Sequence, residues 1–311
     1  MAQRENRPGR AILLKLAAVA LFVAMFALIR SASDAGVPPG QSVFFRSFFA
    51  IPVILIWLVW TLRLRTGLRV ASPLGHVARG AFGTLAMGFG FAGLAFLPFY
   101  EVQAIGYATP LFLVILAVLF AGERVRLVRI LAVGMGLAGV LIVVWPLLGG
   151  GAHGSGAALG AALVLASALF AAIAQVLIRR MVDSEETSAI VFWFAVSGAA
   201  LSLLTLPFGW VLPAPRIAAM LVLAGLMGGL GQICQTAAYR FADAGLVAPF
   251  DYTSLIWALL IGLLVFGEAP DPRSLVGAGF VVAGGVMIVL RERQLGIRRR
   301  AKAAKAGLSG P

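Results

Sequence analysis

VLFAGE at residues 118–123 and LLVFGE at residues 263–268 end two long apolar runs on the same Gly-Glu pair, 145 positions apart. Sliding the chain by that offset brings more into register. Gly80 falls on Gly225, Gly83 on Gly228, Phe96 on Phe241, Tyr107 on Tyr252, Gly134 on Gly279, and Ala138-Gly139 on Ala283-Gly284. Further upstream a slightly different offset pairs Ala20-Leu21-Phe22 with Ala168-Leu169-Phe170, and Phe44 with Phe192. Gly and Ala are abundant, so single matches carry little. An ungapped run that keeps both Tyr and Glu in phase points to an internal duplication.

The composition names the solvent. The chain is 61% hydrophobic and 12% charged, whereas soluble domains carry roughly 25% charged residues. Apolar windows of about 20 residues, enough to cross a hydrocarbon core of roughly 30 Å, recur along nearly the whole length. Barrel strands would instead alternate apolar and polar residues over about ten positions, and these do not. The reading is an all-α integral membrane protein with ten transmembrane helices over 12–33, 41–62, 74–95, 98–121, 127–147, 156–180, 187–208, 216–240, 244–267 and 273–291. The first segment resembles a signal peptide, with Arg4, Arg7, Arg10 and Lys15 before an apolar run, but Arg30 interrupts the approach to a cleavage site. It is read as the first span. One cysteine, Cys234, excludes an internal disulfide, and with only two histidines the chain offers no ordinary metal site. No cofactor is expected.

The charges orient the spans. With the N-terminus in the cytoplasm, that side receives four Lys or Arg near the N-terminus, four in 63–79, three in 124–129, Arg179, Arg180, Arg240 and seven from Arg291 onward. The other side holds Arg30, Arg216 and Arg273, and Arg46 lies within a span. This is the positive-inside pattern, with both termini cytoplasmic. The net charge of +13 therefore implies a basic tail beside anionic lipid rather than a nucleic-acid partner.

Five spans per copy is an odd number, so the second copy enters the membrane from the opposite face and the two repeats are inverted. Inverted repeats place a substrate site near the midplane between them. The expected organisation is an N-terminal tail (1–11), a first repeat (12–147), an outer linker (148–155), a second repeat (156–291) and a basic tail (292–311). With FFRSFFAIPVIL at 44–55 and the FGE ending at 266–268, this pattern resembles the drug/metabolite transporter superfamily, in its EamA-domain branch. The resemblance implies a ten-helix carrier with a central cavity in a bacterial inner membrane, often exporting amino acids or related metabolites.

Ionisable groups within spans are functional hypotheses by default. Arg46 lies five residues inside the second span; it either snorkels to the outer interface or holds a carboxylate in its planar fork. Glu101 and Gln103 open the fourth span, and the depth of Glu101 resembles that of Arg46, which makes it a candidate partner. Tyr107 lies deeper, before Pro110. Gln232, Gln235, Tyr239 and Arg240 follow along the eighth span, the first three on one face. Asp251 and Tyr252 begin the polar run DYTS in the ninth, where Arg240 or a substrate ammonium is the expected counter-charge. Each of these polar groups could instead simply join helices. Glu123 and Glu268 read as acids near helix N-termini after a closing glycine. His76 and Arg79 read as the cytoplasmic rim of the third span, and Trp193 as packing. GFGFAG at 88–93 mimics a dinucleotide motif but lies within an apolar span, where glycines serve close helix approach. HGSG at 153–156 lacks nucleophile-elbow spacing.

The expected function is alternating-access transport of a small polar or amphipathic metabolite. Export is favoured, with the bilayer as medium and a proton as a possible coupling ion. No Walker-type stretch supplies an ATP engine. The alternatives are uptake or exchange of a nucleoside-like metabolite, an intramembrane enzyme, or a non-transporting scaffold. Cysteine-accessibility labelling in a background lacking Cys234 should place residues 149–155 and 181–186 on opposite faces of the membrane. Labelling of both from one side contradicts the ten-span order.

Overall fold

The structure, a computed structural model, describes residues 8–62, 64, 67–109, 111–113, 115–116, 127–148, 156–181, 184–241, 248–284, 286–287 and 290. VLFAGE with Glu123, the 149–155 linker with His153, and the basic tail lie outside the described residues. Among those described, every regular element is helical. Helix α1 is Pro8–Asp34, α2 Pro39–Phe48, α3 Ala50–Trp60, α4 Pro73–Gly93, α5 Phe99–Gly106 and α6 Leu127–Leu148. Then come α7 Ala157–Met181, α8 Thr187–Ser202, α9 Pro215–Phe241, α10 Thr253–Val265, and a last helix, α11, over 272–284. Five described stretches are long and apolar enough to cross a membrane: Gly9–Asp34, Pro39–Trp60, Ala157–Ile178, Ser188–Phe208 and Pro215–Gln235.

Among the described residues the seventh predicted span tightens to a 3-10 turn over Leu203–Phe208, and three others are broken, each for a local reason. Helices α2 and α3 form one apolar stretch interrupted at Phe49; Pro52 has no N–H for the Phe48 carbonyl, which weakens the ladder at that turn. The fourth span turns at residues 107–108 before helix resumes at 109. Pro110 has no N–H for the Gly106 carbonyl, and the Thr109 hydroxyl donates to that carbonyl instead at 2.8 Å. The described part of the ninth opens with a tight turn over Ala248–Tyr252 rather than continuous helix, and there the Thr253 hydroxyl serves the Phe250 carbonyl at 2.7 Å. Both interruptions fall at Tyr107 and Tyr252, the pair that the 145-residue offset aligns.

Each half buries its helices on the other. Helix α1 packs most extensively on α9 and α4 on α7, while α2 meets α8 and α5 meets α10. The core accordingly mixes Val23, Phe91 and Phe99 with Ala168, Ala224 and Val281. Helices α6 and α11 cross where Gly139 faces Gly277: a Cβ on Gly139 would lie 2.6 Å from the Gly277 carbonyl, and one on Gly277 would lie 2.7 Å from the Gly139 carbonyl. Only hydrogen fits at both positions, as in other close helix crossings in lipid. Two of the three glycines of GFGFAG also face α7, Gly90 at Ser167 and Gly93 at Val164, while a Cβ on Gly88 would meet nothing within 4 Å.

At one end of the bundle the turn after α7 is tied to the turn before α4. Glu185 Oε1 accepts the N–H groups of Ala71 and Ser72 at 2.8 and 2.6 Å, and His76 Nε2 lies 3.2 Å away. Ser188 Oγ and Trp193 Nε1 donate to the Gly67 and Leu68 carbonyls beside it. Burial alone would raise the Glu185 carboxyl, but these N–H donors and His76 outweigh it and hold the group below its ordinary value. A carboxyl lowered by folding contributes stability above the unfolded value and loses it as pH falls through the folded value. Thermal unfolding should therefore show a melting temperature that drops on acidification below about pH 4.5. The drop should be smaller in Glu185→Gln, and an identical acid limb in both proteins contradicts the latch.

Candidate functional site

Polar side chains gather at three levels, all of them touching α1 or its neighbours. At the C-terminal end of α1, Arg30 pairs with Asp34 at 3.0 Å, and its Nη2 lies 3.7 Å from Glu268 Oε1. Its Nη1 donates to the carbonyls of Leu94 and Leu97, where α4 runs out. Glu268 Oε2 accepts the Phe99 N–H at 2.7 Å, one of the orphan donors that every helix start leaves. Gly267, at φ +66°, turns the chain so that this carboxylate can reach back. The reading of a closing glycine followed by an acid at a helix start thus holds at Glu268 in altered form. The helix it caps is α5, in the other half of the chain. Beside it, Glu101 is buried and its Oε1 accepts from Tyr100 and Ser274 hydroxyls at 3.3 and 3.2 Å. The expected Glu101–Arg46 pair is corrected here. Similar depth along two helices does not fix the direction each side chain takes around its axis, and Glu101 turns toward α11.

Fifteen residues earlier, roughly 22 Å along the helix, α1 carries Lys15. Its ammonium is fully buried, 2.7 Å from Asp251 Oδ1 and 3.4 Å from Gln235 Oε1. The Asp251 side chain is 43% exposed, so the pair has one sealed and one open member. Among the described residues its counter-charge is Lys15, which the charge count assigned to the basic N-terminal cluster. The side chains of Arg240 and Tyr239 lie outside the described residues. Tyr107 donates to the Asp251 carbonyl at 2.9 Å and also contacts Ser254 Oγ. Its ring meets Tyr252 at a centroid distance of 5.0 Å, so the two repeat-related tyrosines touch. Gln103 and Gln232 are half-buried in α5 and α9.

Between these ends sit two arginines. Arg46 and Arg79 are 5% and 7% exposed, and neither snorkels to an interface. Their guanidinium carbons lie 5.3 and 4.0 Å from the centroid of one ring, Phe194. Among the described residues no carboxylate pairs with either, and Arg46 Nε, Arg79 Nε and Arg79 Nη1 have no hydrogen-bond partner. A desolvated cation–π contact returns about 2 kcal/mol, and the C-terminus of α2 favours a cation by up to about 2 kcal/mol. Burying an unpaired charge costs several kcal/mol. The arrangement is an energetic deficit that a bound anion would remove. Arg79 corrects the sequence reading, which placed it on the rim; α4 continues past it, and its side chain turns inward to Phe194.

Known proteins resemble this chain along most of its length. The model of the EamA-like transporter family matches residues 9–145 and 158–290. The pseudopaline exporter of Pseudomonas aeruginosa is 31% identical over 90% of this chain and 93% of its own. The riboflavin transporter of Rhizobium johnstonii is 30% identical over 76% of each. The S-adenosylmethionine uptake transporter of Rickettsia bellii is 26% identical over 82% of this chain and 84% of its own. One crystal structure superimposes with a TM-score of 0.64 at 25% identity, covering 92% of this chain and 99% of that one.

The geometry at Lys15 makes an asymmetric prediction. Asp251→Asn removes a carboxylate at 2.7 Å from a fully buried ammonium, whereas Lys15→Met leaves a half-exposed carboxylate that water can still reach. Melting of the purified proteins should show Asp251→Asn as the more destabilised, with much of the loss recovered in the Lys15→Met/Asp251→Asn double variant. The reverse order contradicts the pairing.

Proposed function

The chain belongs to the EamA-like transporter family, and from that premise we propose that it is a secondary active carrier working by alternating access between two inverted five-helix repeats. Transport, not catalysis, is the activity of its named relatives. The observation that carries the mechanism is α1 itself, which holds one charged closure at each of its ends. The Arg30 closure joins α1, the end of α4, the start of α5 and the end of α10. The Lys15 closure joins α1 to α9 and the turn before α10. Releasing one while the other holds opens a path from one face of the membrane at a time.

The repeat reading is supported by the exchanged packing partners, by the Tyr107–Tyr252 contact, and by the family match in two stretches. The charge bias puts the Lys15 end toward the cytoplasm and the Arg30 end outside. Export of a small polar metabolite remains the favoured direction, in keeping with the pseudopaline exporter. Asp251, half-exposed beside a buried ammonium, is the carboxylate through which a proton would couple. Moving a carrier from 1:99 to 99:1 between two states takes about 5.5 kcal/mol of differential interaction. One ion pair falls short of that, which explains why the Arg30 end also recruits three backbone partners.

Purified protein in proteoliposomes loaded with a metabolite mixture should release at least one small solute faster than empty vesicles do. Glu268→Gln removes the charge across from Arg30 and weakens the cap on Phe99. It should cut that flux several-fold in protein that still elutes as a folded monodisperse peak. Unchanged flux in this variant argues against the closure as a working part.

A further inference from the structure

Resting on that carrier reading, we infer that Arg46 and Arg79 form an oxyanion subsite, and that the transported molecule carries a carboxylate or phosphate group which docks between them. Arg46 comes from α2, Arg79 from α4 and the Phe194 ring that both approach from α8. The two cations therefore converge from separate helices on one point inside the bundle. Three of their N–H-bearing nitrogens are buried without a partner, and the nearby Ser47 hydroxyl, one residue from Arg46, is also buried and unpartnered.

The surrounding backbone leaves room for this geometry. A Cβ on Gly83 would lie 2.6 Å from Phe194 Cε2 and would also strike Arg79 Nη1. A Cβ on Gly228 would lie 3.2 Å from Arg46 Nε. These two glycines are the pair that the 145-residue offset aligns, so each half supplies one small residue to one arginine. Among the described residues no carboxylate pairs with either cation. An internal carboxylate would neutralise the site permanently, whereas a carried one neutralises it only while bound. Guanidinium forks suit a planar carboxylate or a phosphate in two-point contact, and two of them favour an anion over a neutral or cationic solute.

The test uses the full-length protein in proteoliposomes loaded with an equimolar mixture. It holds amino acids, di- and tricarboxylates, phosphate esters, nucleosides and polyamines, and efflux is read by mass spectrometry. The solutes that move should carry a carboxylate or a phosphate. Carboxylates alone, or phosphate esters alone, identify which oxyanion is used. Arg46→Gln and Arg79→Gln should each lower that flux at least about tenfold, and Arg46→Lys and Arg79→Lys should fall between, since an ammonium keeps the charge and loses the fork. The melting temperatures of the Gln variants should equal or exceed that of the parent, because each removes an unpaired buried charge; a merely structural arginine would give the opposite shift. Efflux confined to solutes without an oxyanion overturns the subsite while leaving the carrier reading intact. Efflux of nothing overturns both. Anion flux that survives Arg46→Gln and Arg79→Gln unchanged, or Gln variants that melt well below the parent, overturns the subsite alone.

Discussion

Arg46 and Arg79 buried against one phenyl ring are the constraint around which the other polar features are arranged. Neither cation has a carboxylate among the described residues, and the ring returns less than desolvation takes. In the proposed subsite a bound anion would supply the negative charge that this pair lacks among the described residues. A side chain at Gly83 would strike Arg79 and Phe194, and one at Gly228 would press on Met25 and Arg46. The break at Phe49, one turn beyond Arg46, ends the α2 ladder close to that cation, and a helix C-terminus is favourable ground for it.

The two ends of α1 are built on a different principle. There the charges are paired, and the pairs link distant parts of the chain: Arg30 to Glu268, and Lys15 to Asp251. Paired charges at the ends and unpaired charges between them make a division of labour. In the proposed carrier the end pairs would form or break as helices move, each adding to one state of the bundle, while the central pair would respond to what is bound. Because α1 carries both end pairs, the proposed carrier motion needs no contact between the two ends: a tilt of that helix would strengthen one pair as it strains the other.

Much of the architecture is legible in the sequence because it depends on local chemistry. Long apolar runs with few charges declare helices in lipid, and the 145-residue phase of Tyr107/Tyr252 declares the duplication. Arg46 stands out because it interrupts an apolar span. Lys15 and Arg79 do not stand out. Each sits within a turn or two of a span end, where counting charges by loop puts every basic residue on the membrane surface. The partner of Glu268 is legible only in three dimensions, since the Phe99 N–H that it caps is 169 residues away. Likewise Asp251 demanded a cation by its depth, and Lys15, which supplies one, lies 236 positions away at the far end of the chain. The wrong pairing of Glu101 with Arg46 has the same origin: depth is additive along a helix, and direction around it is set by packing.

Distance measurements across both ends report on the central claim most directly. Spin labels at Ala35 and Ala269 span the Arg30 closure, and labels at Ala11 and Phe241 span the Lys15 closure. On adding a transported solute to protein in lipid nanodiscs, the account predicts opposite changes, one distance distribution widening as the other narrows. Two distributions that widen together, or neither moving under a solute that is demonstrably carried, would contradict alternating closure at the two ends of α1.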